Sequence, residues 1–220
     1  EDTPLAITAA SLTANDTDVD GGALTVTAVG NPTNGTVALA GGTVTFTPTA
    51  NASGAASFEY TVSDGAATDT GLVTVTVTAV NDPPVAVADS RTTAEDTPLA
   101  ITAASLTAND TDIDGGALTV TAVSGAVNGT VALAGSTITF TPSANLSGTG
   151  TFLYTVSDGA ASATGTVTVT ITAVNDPPVA VDDARSTAQN TPLAITAASL
   201  TANDTDIDGG ALTVTAVSGA

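Results

Sequence analysis

The chain has 220 residues, of which two are basic and 22 acidic, for a formal net charge of −20, and it contains no Lys, His, Cys, Met or Trp. This balance repels nucleic acid and anionic membrane surfaces, both of which need Lys or Arg footprints, and it attracts cations. The missing Cys removes disulfides and thiolate metal sites, the missing His removes the usual general base and zinc ligand, and no apolar run approaches the roughly 18 residues of a membrane span.

Read from its start, the chain repeats. Glu1-Asp2-Thr3-Pro4-Leu5-Ala6-Ile7-Thr8 returns at Glu95 and, altered, at Gln189, a spacing of 94 residues each time. The phrase Val80-Asn81-Asp82-Pro83-Pro84-Val85-Ala86-Val87 returns at Val174 and marks the boundaries. Three segments follow: 1–82, a repeat lacking its first strand; 83–176, a complete repeat; and 177–220, the N-terminal part of a third. The ends fall inside repeats, so the expectation is a window on a longer protein. A unit of this length can hold its own core, unlike the short units of a solenoid, which predicts beads on a string.

Within the complete repeat the hydrophobic period is two. In chain order it predicts strands at 85–87, 99–101, 118–123 and 130–133, then at Ile138 with Phe140, at Phe152, Tyr154 and Val156, and over 166–173, with a single helical turn at 103–106. In the last strand Val167, Val169, Ile171 and Ala173 face inward while Thr166, Thr168, Thr170 and Thr172 face outward. About seven short strands between Gly, Asn, Asp and Pro turns predict an all-β fold: tandem immunoglobulin-like β-sandwich domains. Outward Thr supplies β propensity without charge.

The chemistry concentrates in Asn109-Asp110-Thr111-Asp112-Ile113-Asp114-Gly115, which recurs with Asp16, Asp18 and Asp20 and again with Asp204, Asp206 and Asp208. Three carboxylates at alternate positions repel one another unless a cation sits among them, and hard oxygen ligands suit Ca²⁺. The plain alternative is a solvated turn in which Asx side chains bond their own backbone. An EF-hand is excluded, because Thr27 and Thr121 stand where its bidentate acid belongs and no helices flank the loop. Comparison of the copies separates the acids further. Asp64 persists as Asp158, whereas Glu59 becomes Leu153 and Asp69 becomes Ala163, which reads the latter pair as surface charges of no consequence.

Four phrases carry a family resemblance: Thr93-Ala94-Glu95-Asp96-Thr97-Pro98, Thr107-Ala108-Asn109-Asp110-Thr111-Asp112, Tyr154-Thr155-Val156-Ser157-Asp158-Gly159 and Val174-Asn175-Asp176-Pro177-Pro178. In this order they resemble a cadherin repeat, and the whole unit is similar to the bacterial cadherin-like tandem repeats of large surface adhesins and other exported proteins. The resemblance implies a sandwich whose linker binds Ca²⁺ between consecutive repeats. One junction would use Glu1, Asn81, Asp82, Asp110, Asp112 and Asp158; the next would use Glu95, Asn175, Asp176, Asp204 and Asp206. The alternative is a local site in each Asp loop (Asp110, Asp112, Asp114 and their equivalents Asp16, Asp18, Asp20 and Asp204, Asp206, Asp208), with Asp64 matching Asp158. The mid-domain Asp-Arg-Glu of cadherins has no counterpart in 140–154, and the linker is shorter, so one or two ions per junction are expected rather than three.

These features predict a structural repeat, outside the cell or on its surface: the calcium-rigidified stalk of an adhesin or biofilm matrix protein, whose partners are neighbouring repeats. The alternative is a self-assembling filament in which copies donate strands to one another. No nucleic-acid partner, no membrane insertion and no enzymatic activity are expected, because no activated nucleophile or evident base is present. Sugar binding is disfavoured, since two Tyr and four Phe lie mostly at inward strand positions.

Overall fold

The computed structural model describes residues 1–218. They form two compact units, one comprising Glu1–Asp82 with Asp112–Gly116 and the other Pro83–Thr111 with the rest of the chain from Ala117. In the first unit the elements are β1 (Leu5–Thr8), α1 (Ala9–Leu12), a 3-10 turn (Thr13–Asn15), β2 (Thr25–Thr33), β3 (Gly35–Ala40), β4 (Thr43–Pro48), β5 (Gly54–Ser63) and β6 (Thr68–Val77). They build two antiparallel sheets, ordered β1-β4-β3 and β2-β5-β6.

The second unit adds a strand: β7 (Asp89–Ala94), β8 (Leu99–Thr102), α2 (Ala103–Leu106), β9 (Thr119–Val127), β10 (Gly129–Ala134), β11 (Thr137–Pro142), β12 (Gly148–Ser157) and β13 (Ser162–Thr172), followed by α3 (Ala197–Leu200). Its sheets are ordered β10-β11-β8 and β7-β13-β12-β9, and β7 runs parallel to β13. This is an all-β, immunoglobulin-like sandwich of seven strands.

The alternation in the sequence dictates the core. Along β13, Gly165, Val167, Val169 and Ile171 are buried while Thr164, Thr166, Thr168, Thr170 and Thr172 are exposed. Ile138 and Phe140 of one sheet meet Phe152, Tyr154 and Val156 of the other in a single buried cluster. Phe140 and Phe152 stack with ring centroids 5.9 Å apart, and Phe46 and Phe58 repeat the contact in the first unit at 5.9 Å. Such pairs add about 0.5–1.5 kcal/mol beyond the area they bury.

Two expectations need correction. Residues 85–87 form no strand; Val85 makes one isolated bridge with Thr111, and Val85 and Val87 are 60% and 42% exposed. The reason is that side chains take the backbone groups of Val87, whose N–H donates to Asp110 and whose carbonyl accepts from Tyr154. The opening strand is instead β7, whose polar sequence Asp-Ser-Arg-Thr-Thr-Ala hides it from a hydrophobic pattern. Ala173 is the second correction, for β13 ends at Thr172 and Ala173 is exposed.

Tyr154 pairs across the ladder with Gly165, and Tyr60 with Gly71. A methyl group on Gly165 would fall within the van der Waals radius of the Tyr154 ring and hydroxyl. Gly165→Ala is therefore expected to destabilise the second unit by about 1–3 kcal/mol, read as a lowered urea midpoint, as for other overpacked cores.

Candidate metal centre

Alternate residues of the Asp loop meet different fates. Asp110, 9% exposed, is turned inward: its Oδ1 accepts from Val87 N at 2.7 Å, and the Tyr154 hydroxyl lies 2.8 and 3.1 Å from its two carboxylate oxygens. Burial, followed by Asp110 itself, pushes the Tyr154 phenol upward. Asp16 meets the Tyr60 hydroxyl in the same way, at 2.9 and 3.0 Å, and Asp204 accepts from Val181 N at 2.8 Å.

The next two acids turn away from the core. Asp112 Oδ1 accepts from Asp114 N at 2.9 Å, and Asp114 Oδ2 accepts from Asp82 N at 2.6 Å. Around Asp82 the first unit gathers Glu1 and Asp2, so that one carboxylate oxygen from each of the three lies within 4.8 Å of the others. Glu1 Oε1 also accepts from Val80 N, and Asp2 Oδ1 from Asn51 N. Two oxygens in this cluster, Asp82 Oδ2 and Asp112 Oδ2, are buried without a hydrogen-bond partner. Burial first, and then the charges of Asp114, Asp2, Glu1 and Asp112, hold the Asp82 carboxyl above its ordinary range.

The second unit repeats the hydrogen-bond pattern of this arrangement. Glu95, 4% exposed, accepts from Val174 N at 2.6 Å; Asp176 N donates to Asp208; Asp208 N donates to Asp206 Oδ1 at 3.0 Å. Burial, then Asp208, Asp96, Glu95 and Asp206, raise the Asp176 carboxyl. Asn81 and Asn175 turn their amide nitrogens onto the carbonyls of Asp82 and Asp176, which leaves the adjacent carboxylates to face the cluster.

The remaining predicted residues lie elsewhere. Asp18, Asp20 and Asp64 line an open cleft of about 590 Å³ with Asp16 and Tyr60. Asp18 Oδ1 accepts from Asp20 N, while Asp64 Oδ1 accepts from Ala66 N and Ala67 N, bonds that lower its carboxyl. Asp158 makes the same two backbone bonds to Ala160 and Ala161. The structure thus gathers Glu1, Asp82, Asp112 and Asp114 in one cluster and Glu95, Asp176, Asp206 and Asp208 in the other. It turns Asp16, Asp110 and Asp204 toward backbone or tyrosine donors. Asp2 and Asp96 escaped the sequence reading. Their sequence signal was only that each follows a Glu; the structure adds left-handed backbones, at φ 59° and 54°, a region that Asp and Asn tolerate. Glu59 is also more than a surface charge, because it accepts from Asn31 Nδ2 at 2.6 Å across β2 and β5.

The donor set fits Ca²⁺. All the side-chain groups are carboxylate or amide oxygens, and the two orphaned oxygens are what a hard cation would coordinate. No helix among the described residues is long and apolar enough to cross a membrane.

The sandwich and its acidic loop define an immunoglobulin-like repeat module, a class of structural domain. A cadherin-like domain family matches residues 1–78 and 174–220, and a bacterial Ig domain family matches residues 81–172. The cadherin-like match covers more than half of the chain, which belongs to that family. Modules of this family type are typically non-enzymatic and commonly bind Ca²⁺. No curated protein matches the chain. Among solved structures it is similar to the endo-fucoidan hydrolase MfFcnA4 of glycoside hydrolase family 107, at 21% identity and TM-score 0.30, over 70% of this chain and 24% of that one. The chain thus spans about a quarter of the hydrolase's length. It is also similar to human protocadherin-24 EC1-2, at 17% identity and TM-score 0.44, over 72% of this chain and 86% of that one. A titin I-band fragment, I67-I69, matches at 17% identity and TM-score 0.26, over 67% of this chain and 51% of that one.

Tyr154→Phe removes one of the two donors that meet the buried Asp110 carboxylate and is expected to cost about 1.5–3 kcal/mol in urea unfolding. Tyr60→Phe should cost less, because Asp16 is less buried than Asp110. The raised carboxyls of Asp82 and Asp176 set a pH dependence of definite sign. A group whose pKa is higher in the folded chain takes up a proton on folding, so stability falls as pH rises through that pKa. In chelator, calorimetry is expected to show higher melting as pH drops from neutral towards the ordinary carboxylate range, and saturating Ca²⁺ is expected to flatten this slope.

Proposed function

We propose that these repeats form a calcium-rigidified structural segment of a bacterial extracellular or cell-surface protein, the stalk of an adhesin or a biofilm matrix protein. The observation that carries this reading is the pair of buried, unpartnered oxygens, Asp82 Oδ2 and Asp112 Oδ2, within a cluster of five acids. Carboxylates this close, with their charges uncompensated, favour a neighbouring cation over solvent.

The five contributors come from different stretches of chain. Glu1, Asp2 and Asp82 belong to the first sequence repeat, whereas Asp112 and Asp114 come from the second yet lie in the first compact unit. Glu1, Asp2, Asp82, Asp112 and Asp114 would hold a Ca²⁺ ion, which would supply the positive charge that these carboxylates lack. The chain's residues do the rest: Asp110 secures one end of the loop in the core, Asp114 caps the Asp82 N–H, and Pro83 and Pro84 restrict the backbone between. A segment held in this way is stiff when loaded and flexible when empty. Extracellular modules bind at about 10⁻⁴–10⁻³ M, which would keep the site filled outside the cell.

Small-angle X-ray scattering from excess chelator to millimolar Ca²⁺, paired with isothermal titration calorimetry, tests the reading. Binding with a larger maximum dimension is expected. An unchanged scattering curve would overturn the stalk mechanism, and growth to indefinite length would replace it with self-assembly.

A further inference from the structure

Asn145 lies against the acids of the second cluster. Its backbone N–H donates to Asp96 Oδ1 at 2.9 Å, and its side-chain amide reaches both Asp96 Oδ2 and Asp176 Oδ2 at 3.1 Å when the amide nitrogen faces them. Asn145, Asp176 and Asp206 share the wall of one open cleft of about 510 Å³, with space for an ion and its waters. The backbone bond recurs in the first repeat, where Asn51 N donates to Asp2 Oδ1 at 3.0 Å. All four residues have left-handed backbones, with φ of 56° and 52° at Asn51 and Asn145 and 59° and 54° at Asp2 and Asp96.

We infer that Asn145 is the neutral, two-way member of the calcium site. Without cation its amide nitrogen donates to Asp96 and Asp176 and holds them together; with cation the amide turns and its oxygen becomes a ligand. The inference rests on the calcium reading above and specifies how that site survives when empty.

The chemistry at this point selects an amide. A third carboxylate within 3.1 Å of two others would add repulsion to a cluster that already raises Asp176. A Lys would neutralise the pair permanently and exclude the ion. Asn alone of the short side chains offers two N–H donors and a carbonyl acceptor on one rotatable group, at a backbone conformation that it tolerates. Placement comes from the backbone bond between Asn145 and Asp96, so the side chain can be altered while its origin stays fixed. Asp keeps the side-chain shape and Gly keeps the positive φ.

The test uses the whole chain, with Asn145→Asp and Asn145→Gly compared with the parent by calcium titration calorimetry and by melting in chelator and in millimolar Ca²⁺. The expected signature of Asn145→Asp has opposite signs: a lower melting temperature in chelator, and about tenfold tighter Ca²⁺ binding at one site with higher melting in Ca²⁺. Asn145→Gly should weaken that site by about tenfold or more, and the side-chain ¹⁵NH₂ resonances of Asn145 should shift between the two conditions in the parent. A purely structural asparagine would lower melting by the same amount in both conditions. Parental binding with both variants unchanged in affinity would overturn the role of Asn145 and leave the calcium site standing. A parent that does not bind Ca²⁺ would overturn the site and this inference together.

Discussion

The hydrogen bond between the Tyr154 hydroxyl and the buried carboxylate of Asp110 is the constraint on which the acidic loop depends. A charged group is costly to bury unless it is bonded, and here tyrosine and the Val87 N–H supply the donors. With Asp110 fixed inside, Asp112 and Asp114 follow at alternate positions and are carried out of the core. The loop is thus divided by residue parity into a member that belongs to the fold and two that serve the cluster. A triplet that looks uniform in sequence has two kinds of work.

The second determinant is the segregation of charge. Outward strand positions carry Thr, so the sheet faces hold few charges, and the acids accumulate in the loops and at the starts of the repeats. Neither Arg goes to the clusters: Arg91 pairs with Asp89 and donates to the Ser105 carbonyl, and Arg185 pairs with Asp183 and donates to the Ser199 carbonyl. Each Arg thus staples a repeat's opening segment to its single helical turn. Compensation for the clustered carboxylates is left to protons, amides and external cations, in an order set by pH and by the surrounding ion concentration.

Much of the sandwich was legible because one face of each central strand is buried, so that Val167, Val169 and Ile171 announce themselves by alternation. β7 was not, since its pairing with β13 is through the backbone and its side chains are polar. The Val85 segment misled for the converse reason: apolar residues there serve a crossing whose backbone groups are taken by Asp110 and Tyr154. In the site, Glu1, Asp82, Asp112 and Asp114 were readable from spacing and resemblance. Spacing could not show that Asp110 points inward, because that depends on a tyrosine 44 residues away. Nor could it show Asn145 reaching Asp96 across 49 residues, a contact made by two loops that only the closed sandwich brings together.

Neighbouring repeats that are nearly identical face a hazard in folding, since a hairpin from one copy can pair with strands of the next, a known failure of tandem repeats. The differences between β2 and β9 bear on this. In the first copy Asn31 donates to Glu59; in the second, Gly125 stands at the corresponding place, where a side chain would crowd Leu153. An exchanged β5–β6 hairpin would set the Glu59 carboxylate over Gly125 with no amide to meet it, and an exchanged β12–β13 hairpin would set Leu153 against the Asn31 amide. One cross-strand pair therefore differs in chemistry between two nearly identical copies, an amide on a carboxylate in the first and a glycine beside a leucine in the second.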